Sequence, residues 1–202
     1  MLSNCDKSCF GNSTINVSGA RISLYPMDND FVNIILSGLN FVNTDKVWKQ
    51  IDDLSTCFRG KRIHVFDVVK SLFINSYKDN LHLVLEATFS KGCPGDVEAD
   101  AYIDVDDDKL NEKFTSNKHF LCKSKISFYP LGNLDYMNHI QNVIKLTKDK
   151  NVFFKSSHYV TILKGDVQDI FDVLEEIFKY GENKLSHFVL QVTISTNSPT
   201  GE

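Results

Sequence analysis

The chain has 202 residues, 42 % of them apolar and 24 % charged, with a formal net charge of −4. That is the composition of a folded globular protein with room for one ordinary domain or two small ones, not of a disordered or fibrous chain. The acidic balance speaks against a nucleic-acid partner, which calls for a basic face. Its five cysteines (Cys5, Cys9, Cys57, Cys93, Cys122) are odd in number and irregularly spaced. Reduced thiols and a cytoplasmic location are therefore expected, without a disulfide framework or a paired metal motif. No window approaches the length of a signal-peptide core or a membrane span, so no membrane insertion is expected.

Residues 1–20 read as a polar arm. The segment "RISLYP" that follows is short and alternating, and Pro26 ends it because proline cannot continue a strand ladder. Asp30 is a candidate N-cap for a helix carrying Phe31, Ile34, Ile35, Leu39 and Val42 at helical spacing. "VWKQID" and "STCFR" then form two closely spaced strands, the mark of a hairpin. Val65, Val69, Leu72 and Phe73 mark a second helix. In the last strand Leu83, Leu85, Ala87 and Phe89 form one face, and Val84, Glu86, Thr88 and Ser90 the other.

This order of elements then recurs. "ISLYPM" at Ile22 returns as "ISFYPL" at Ile126, and one extra residue in the following loop shifts the offset from 104 to 105. From there the match holds: Thr56 meets Thr161, Gly60 meets Gly165, and "HLVLEATFS" meets "HFVLQVTIS". The chain is a duplication. Each half has the order β-α-β-β-α-β, the ferredoxin-like plan, so the expected class is α+β with tandem antiparallel repeats. Repeat 1 spans residues 21–96 and repeat 2 spans 121–202, with residues 97–120 between them as a solvated acidic connector. Asp104, Asp106 and Asp108 there resemble a calcium loop, but Lys109 and Thr115 occupy its glycine and glutamate positions. With helices on one face, the other face of each sheet is expected to meet water, a ligand or another sheet.

The chain lacks dinucleotide, P-loop, nucleophile-elbow and zinc-protease motifs, so catalysis is not expected. Cys93 in "GCPG" has no evident base and faces Ser198 in the second copy. His64 and Asp67 form either an acid–base pair or, more simply, the polar first turn of a helix. Comparing the copies isolates polar pairs that packing does not require: Ser23/Ser127, Thr56/Thr161, Thr88/Thr193 and Ser90/Ser195. Tyr25/Tyr129 and Trp48/Phe153 offer flat surfaces for a flat or cationic ligand, although the Trp48 pair suits a core equally. Asp52, Asp53 and Ser55 become Ser157, His158 and Val160, so paired pockets would be related but unequal.

"SLYPM", "TDKVW", "DDLSTCFRG", "HVFD" and "TFSKGCPGD" resemble the first repeat of the YkoF-like thiamine/hydroxymethylpyrimidine-binding family. "FYPL", "HYVTILKGD" and the terminal "NSP" resemble the second. The resemblance runs from Gly19 to the C-terminus. It implies a non-enzymatic homodimer with one pyrimidine site per repeat, serving thiamine-precursor salvage or transport, with a precursor transporter as a possible partner. Thiamine or hydroxymethylpyrimidine is then a ligand, and no cofactor is implied. Candidate ligand contacts are Tyr25, Met27, Trp48, Asp52, Ser55, Thr56, Glu86, Thr88 and Ser90 in repeat 1. In repeat 2 they are Tyr129, His158, Thr161, Gln191 and Thr193. Asp52 or Glu86 suits the exocyclic amine, and the hydroxyls suit the ring nitrogens. Loss of both carboxylates in repeat 2 makes the first site the expected tighter one. The alternative is a structural or regulatory assembly module with no small-molecule ligand.

Overall fold

The computed structural model describes residues 17–91 and 102–200. In repeat 1 the elements are β1 (Ser18–Pro26), α1 (Phe31–Asn40), β2 (Val47–Ile51), β3 (Thr56–Gly60), α2 (Arg62–Ser76) and β4 (Leu83–Lys91). A single helical turn, α3 (Glu112–Thr115), lies in the connector. Repeat 2 comprises β5 (Leu121–Pro130), α4 (Tyr136–Asp149), β6 (Phe153–Ser157), β7 (Val160–Asp166), α5 (Val167–Lys184) and β8 (Phe188–Thr196). The duplicated α+β plan is thus present, with β1 starting inside the segment assigned to the polar arm. Residues 1–16 of that arm (including Cys5 and Cys9), together with Cys93, lie outside the described residues.

The two halves do not stack face to face. They join edge to edge into one antiparallel sheet of eight strands in the order β2-β3-β1-β4-β8-β5-β7-β6. At the seam, β4 and β8 pair from Leu83↔Thr196 to Lys91↔Phe188. Ala87 and Val192, equivalent positions of the two copies, face each other there. The seam is therefore quasi-two-fold symmetric, and each repeat supplies the other with a strand neighbour.

Alternation decides which face is covered. Leu83, Leu85, Ala87 and Phe89, with Phe188, Leu190, Val192 and Ile194, are buried beneath the helices. Helix α2 is buried on nearly every side because it packs against α1, α3 and α5 as well as the sheet. Phe66 stacks on Phe89 at 4.4 Å between centroids, and Phe178 meets Phe66 edge-on at 5.6 Å. One aromatic cluster thus belongs to both repeats, each fully buried ring contributing roughly 1.5–3 kcal/mol of transfer free energy. Arg62 of α2 pairs with Glu175 and Glu182 of α5, and Ser18 donates to Glu182.

The described part of the connector keeps its acidic side chains largely exposed, but it is docked on repeat 1 rather than free. Asp106 pairs with Lys46, and Asp107 pairs with Lys61 at 2.9 Å. Asn111 is fully buried and donates both its backbone and side-chain nitrogens to Asp67, at 3.0 and 2.8 Å. His64 Nε2 lies 2.7 Å from the Asp106 carbonyl oxygen. His64 lies in the first turn of α2 and Asp67 just beyond it, and both hold the connector on repeat 1. Desolvation raises the Asp67 carboxyl above its ordinary pKa, against the hydrogen bonds from Asn111.

Candidate functional site

Two cavities occupy equivalent places in the repeats. The ladder between β1 and β3 stops at Ile22↔Thr56, while that between β1 and β4 continues to Pro26↔Leu83. Repeat 2 does the same: β5–β7 stops at Ile126↔Thr161, and β5–β8 continues to Pro130↔Phe188. Beyond those points the first strand and the hairpin part, and a wedge opens beneath α1 or α4. The hairpin side of Ser23–Pro26 and of Ser127–Pro130 is thus a strand edge turned to a cavity. Backbone donors and acceptors at such an edge offer a ligand the hydrogen-bond pattern that a further strand would use.

The cavity of repeat 1 has a volume of about 200 Å³ and is walled by Ile22, Tyr25, Ile35, Leu39 and Asp52–Thr56. That of repeat 2 is about 490 Å³ and is walled by Ile126, Tyr129, Tyr136, Ile140, Ile144, Tyr159 and Thr161. Small-molecule sites commonly span about 300–1,000 Å³, so the second lies within that range and the first below it. The walls also differ in charge. Asp52 and Asp53 line the first cavity, whereas the second has uncharged walls and three tyrosines.

The sequence candidates divide into three groups. Tyr25, Asp52, Ser55 and Thr56 come together in the first cavity, and Tyr129 and Thr161 in the second. Thr56 and Thr161 lie in register with buried Ile22 and Ile126, on the helix-covered side of the sheet. Glu86, Thr88, Gln191 and Thr193 sit elsewhere: they form two cross-strand pairs, Glu86↔Thr193 and Thr88↔Gln191, astride the seam. With Arg21, Tyr25 and Ser55 they line a third depression of about 320 Å³ on the open face. Met27, Trp48, Ser90 and His158 join none of these. Ser90 donates to the Phe188 carbonyl at 3.2 Å, and Trp48 carries the Arg59 guanidinium 5.7 Å from its ring.

The best candidate acceptor is already engaged. Asp52 accepts from Arg21 Nη1 at 2.7 Å, the Leu54 amide at 3.0 Å and the Ser55 amide at 2.8 Å. The Arg21 hydrogen bond and then those two amides hold its carboxyl down to about 2. Ser55 Oγ also accepts from Arg21, at 2.8 Å. In repeat 2 the equivalents are Ser157 and Val160, and Lys125 occupies the position of Arg21. Both hairpins keep one shared tie: Ser23 Oγ donates to the Leu54 carbonyl at 3.0 Å, and Ser127 Oγ to the Tyr159 carbonyl at 3.1 Å.

Sequence reasoning missed Tyr136, Tyr159 and the aliphatic wall of α1 and α4. Tyr159 carried a usable signal, an aromatic residue in a tight turn between two strands. Away from the cavities, burial pushes the Cys122 thiol up to about 12. Among the described residues no group of three or more His, Cys, Asp or Glu side chains is placed to hold a metal ion.

The sequence profile of the YKOF-related Family matches residues 17–96 and 121–201, the two repeats. The chain belongs to that family. A relative in Bacillus subtilis (strain 168), named "Putative HMP/thiamine-binding protein YkoF", is 36 % identical over 187 residues. The alignment covers 93 % of this chain and 94 % of the relative. The two YKOF-related matches begin and end close to the structural repeats, so each carries one complete wedge cavity. No helix among the described residues is long and apolar enough to cross a membrane.

Proposed function

We propose that the protein binds thiamine or its hydroxymethylpyrimidine moiety without transforming it, one molecule per repeat, and carries it in precursor salvage or transport. The observation that supports this most is the recurrence of the wedge cavity at the same place in both repeats, each beside an open strand edge. An aminopyrimidine donates from its exocyclic amine and accepts at its ring nitrogens, a pattern matched by backbone edge groups and the Thr56 or Thr161 hydroxyl. A buried heterocycle needs those bonds matched, since each unpaired group costs about 1–3 kcal/mol. The name of the Bacillus relative supports the same ligand class.

The geometry favours the reverse of the affinity order expected above. With the Asp52 oxygens taken by Arg21 and two amides, and the larger aromatic-walled cavity in repeat 2, the second site is the tighter one in this reading. The uncovered sheet face, with Glu86, Thr88, Gln191 and Thr193 near its centre, supports homodimerisation through sheet association. Titration calorimetry and thermal melting with thiamine, hydroxymethylpyrimidine and thiamine phosphates test the proposal. Ligand at about 100 times the dissociation constant should add about 2.7 kcal/mol to stability. Absence of heat and of stabilisation with all of them would overturn it in favour of the assembly module. Sedimentation tests the dimer independently.

A further inference from the structure

We infer that Tyr159 is the residue that closes the second cavity, its ring stacking on a flat heteroaromatic ligand; this rests on reading the cavities as ligand sites. Four non-glycine residues have positive φ among the described residues, and the other three are asparagines (Asn80, Asn151, Asn197). Tyr159, at φ 68°, is the one bulky side chain in that region. It is the second residue of a two-residue turn bounded by the pair Ser157↔Val160, a position where positive φ ordinarily belongs to glycine or asparagine. Backbone strain of this kind persists where the surroundings enforce it, and it concentrates at ligand clamps.

The cost is not offset by packing of the side chain, since the residue is 97 % exposed. Yet the residue is among those lining the cavity, together with Tyr129 and Tyr136. Its carbonyl is tied to Ser127, so the backbone is fixed while the side chain stays clear. The equivalent residue in repeat 1, Leu54, shows why the strain is specific to this turn. Asp52 there accepts the Leu54 and Ser55 amides and holds a turn of the same length at negative φ. Ser157 replaces Asp52, and the second turn takes the other form. An exposed, strained tyrosine at the lining of an uncharged aromatic-walled cavity is free to swing onto a bound ring and stack on it.

The test is calorimetric titration of the full chain with thiamine, for wild type, Tyr159→Leu and Tyr159→Gly, with thermal melts of each. One of two binding components should weaken roughly tenfold in both variants, the scale of a lost stacking contact. Glycine adopts positive φ freely and no buried ring is removed, so the melting temperature of Tyr159→Gly should not fall. Unchanged affinities in both variants would overturn the inference while leaving the binding proposal standing, and so would a lowered melting temperature accompanying the loss. If wild type itself binds no thiamine, the binding proposal fails and this inference with it.

Discussion

The β2–β3 and β6–β7 hairpins contain the same number of residues and hold two different turns. In the first, a carboxylate gathers two amides and a guanidinium, and the leucine at the tip keeps an ordinary backbone. In the second, a serine cannot do this, and the tip residue is a tyrosine in the left-handed region. The duplicated sequence thus preserves the wedge between strand and hairpin but changes the chemistry of its rim. The frame is set by strand register and burial, which tolerate little. The rim is set by a few exposed side chains, which are free to diverge.

The largest expected effect tests whether the repeats are independent at all. Phe178→Ala, in the cluster with Phe66 and Phe89, should cost about 3–5 kcal/mol. Urea unfolding should remain a single shifted transition, because the cluster and the seam belong to both halves. Two separated transitions would show that the repeats fold as independent units. Next comes a packing swap. A Cβ on Gly181 would approach the Phe188 ring to 2.6 Å, whereas repeat 1 has Ser76 and Leu83 at the equivalent positions. Gly181→Ala should cost about 1–3 kcal/mol by overpacking, more than its gain in helix propensity. Combining Gly181→Ser with Phe188→Leu, which copies repeat 1, should recover most of that loss in the same unfolding assay.

A smaller effect separates the two sites. Thr161→Val should weaken one thiamine-binding component by about fivefold, corresponding to roughly 1 kcal/mol for a lost hydrogen bond. Thr56→Val should act on the other component alone. Smallest of all is the acid response of the first hairpin. The Asp52 carboxyl is depressed below its ordinary value of about 4. Its stabilisation of the turn is therefore complete above pH 4 and fades as the pH falls towards 2. The amide NMR signals of Leu54 and Ser55 should titrate with a midpoint near pH 2, and those of Tyr159 and Val160 should stay flat. Asp52→Ser should abolish the titration.

Much of this frame was legible in the sequence. The alternation of Leu83, Leu85, Ala87 and Phe89 identified the covered face of β4, and the match with Phe188 to Ile194 identified its twin. The pairing of β4 with β8 was not legible, because no local signal states which edge a strand will meet across a hundred residues. That gap separated Glu86, Thr88, Gln191 and Thr193 from the cavities and set them at the seam. Polar identity in both copies did find Thr56 and Thr161, yet it cannot say that a threonine points under a helix. The acidic connector misled for a related reason. Its docking was hidden because Lys46 and Lys61 lie far away in sequence, and because Asn111 is held by buried Asp67 and the Asn43 backbone. The aromatic tip of the second turn was visible at Tyr159, but its positive φ was not, because it goes with a change at a different residue, Ser157.

Joining the repeats at β4 and β8 has a consequence for the chain's behaviour in a crowded solution. Two separate four-stranded sheets would present four free rims, two of them long strands rich in leucine, valine and phenylalanine. The fused sheet keeps only β2 and β6 as rims among the described elements. Both are five residues long; β2 carries Lys49, and β6 carries Lys155 beside an irregularity in register. Short, charged and kinked rims resist the addition of foreign strands. The duplication therefore protects the protein from its own most adhesive surfaces, whatever either cavity holds.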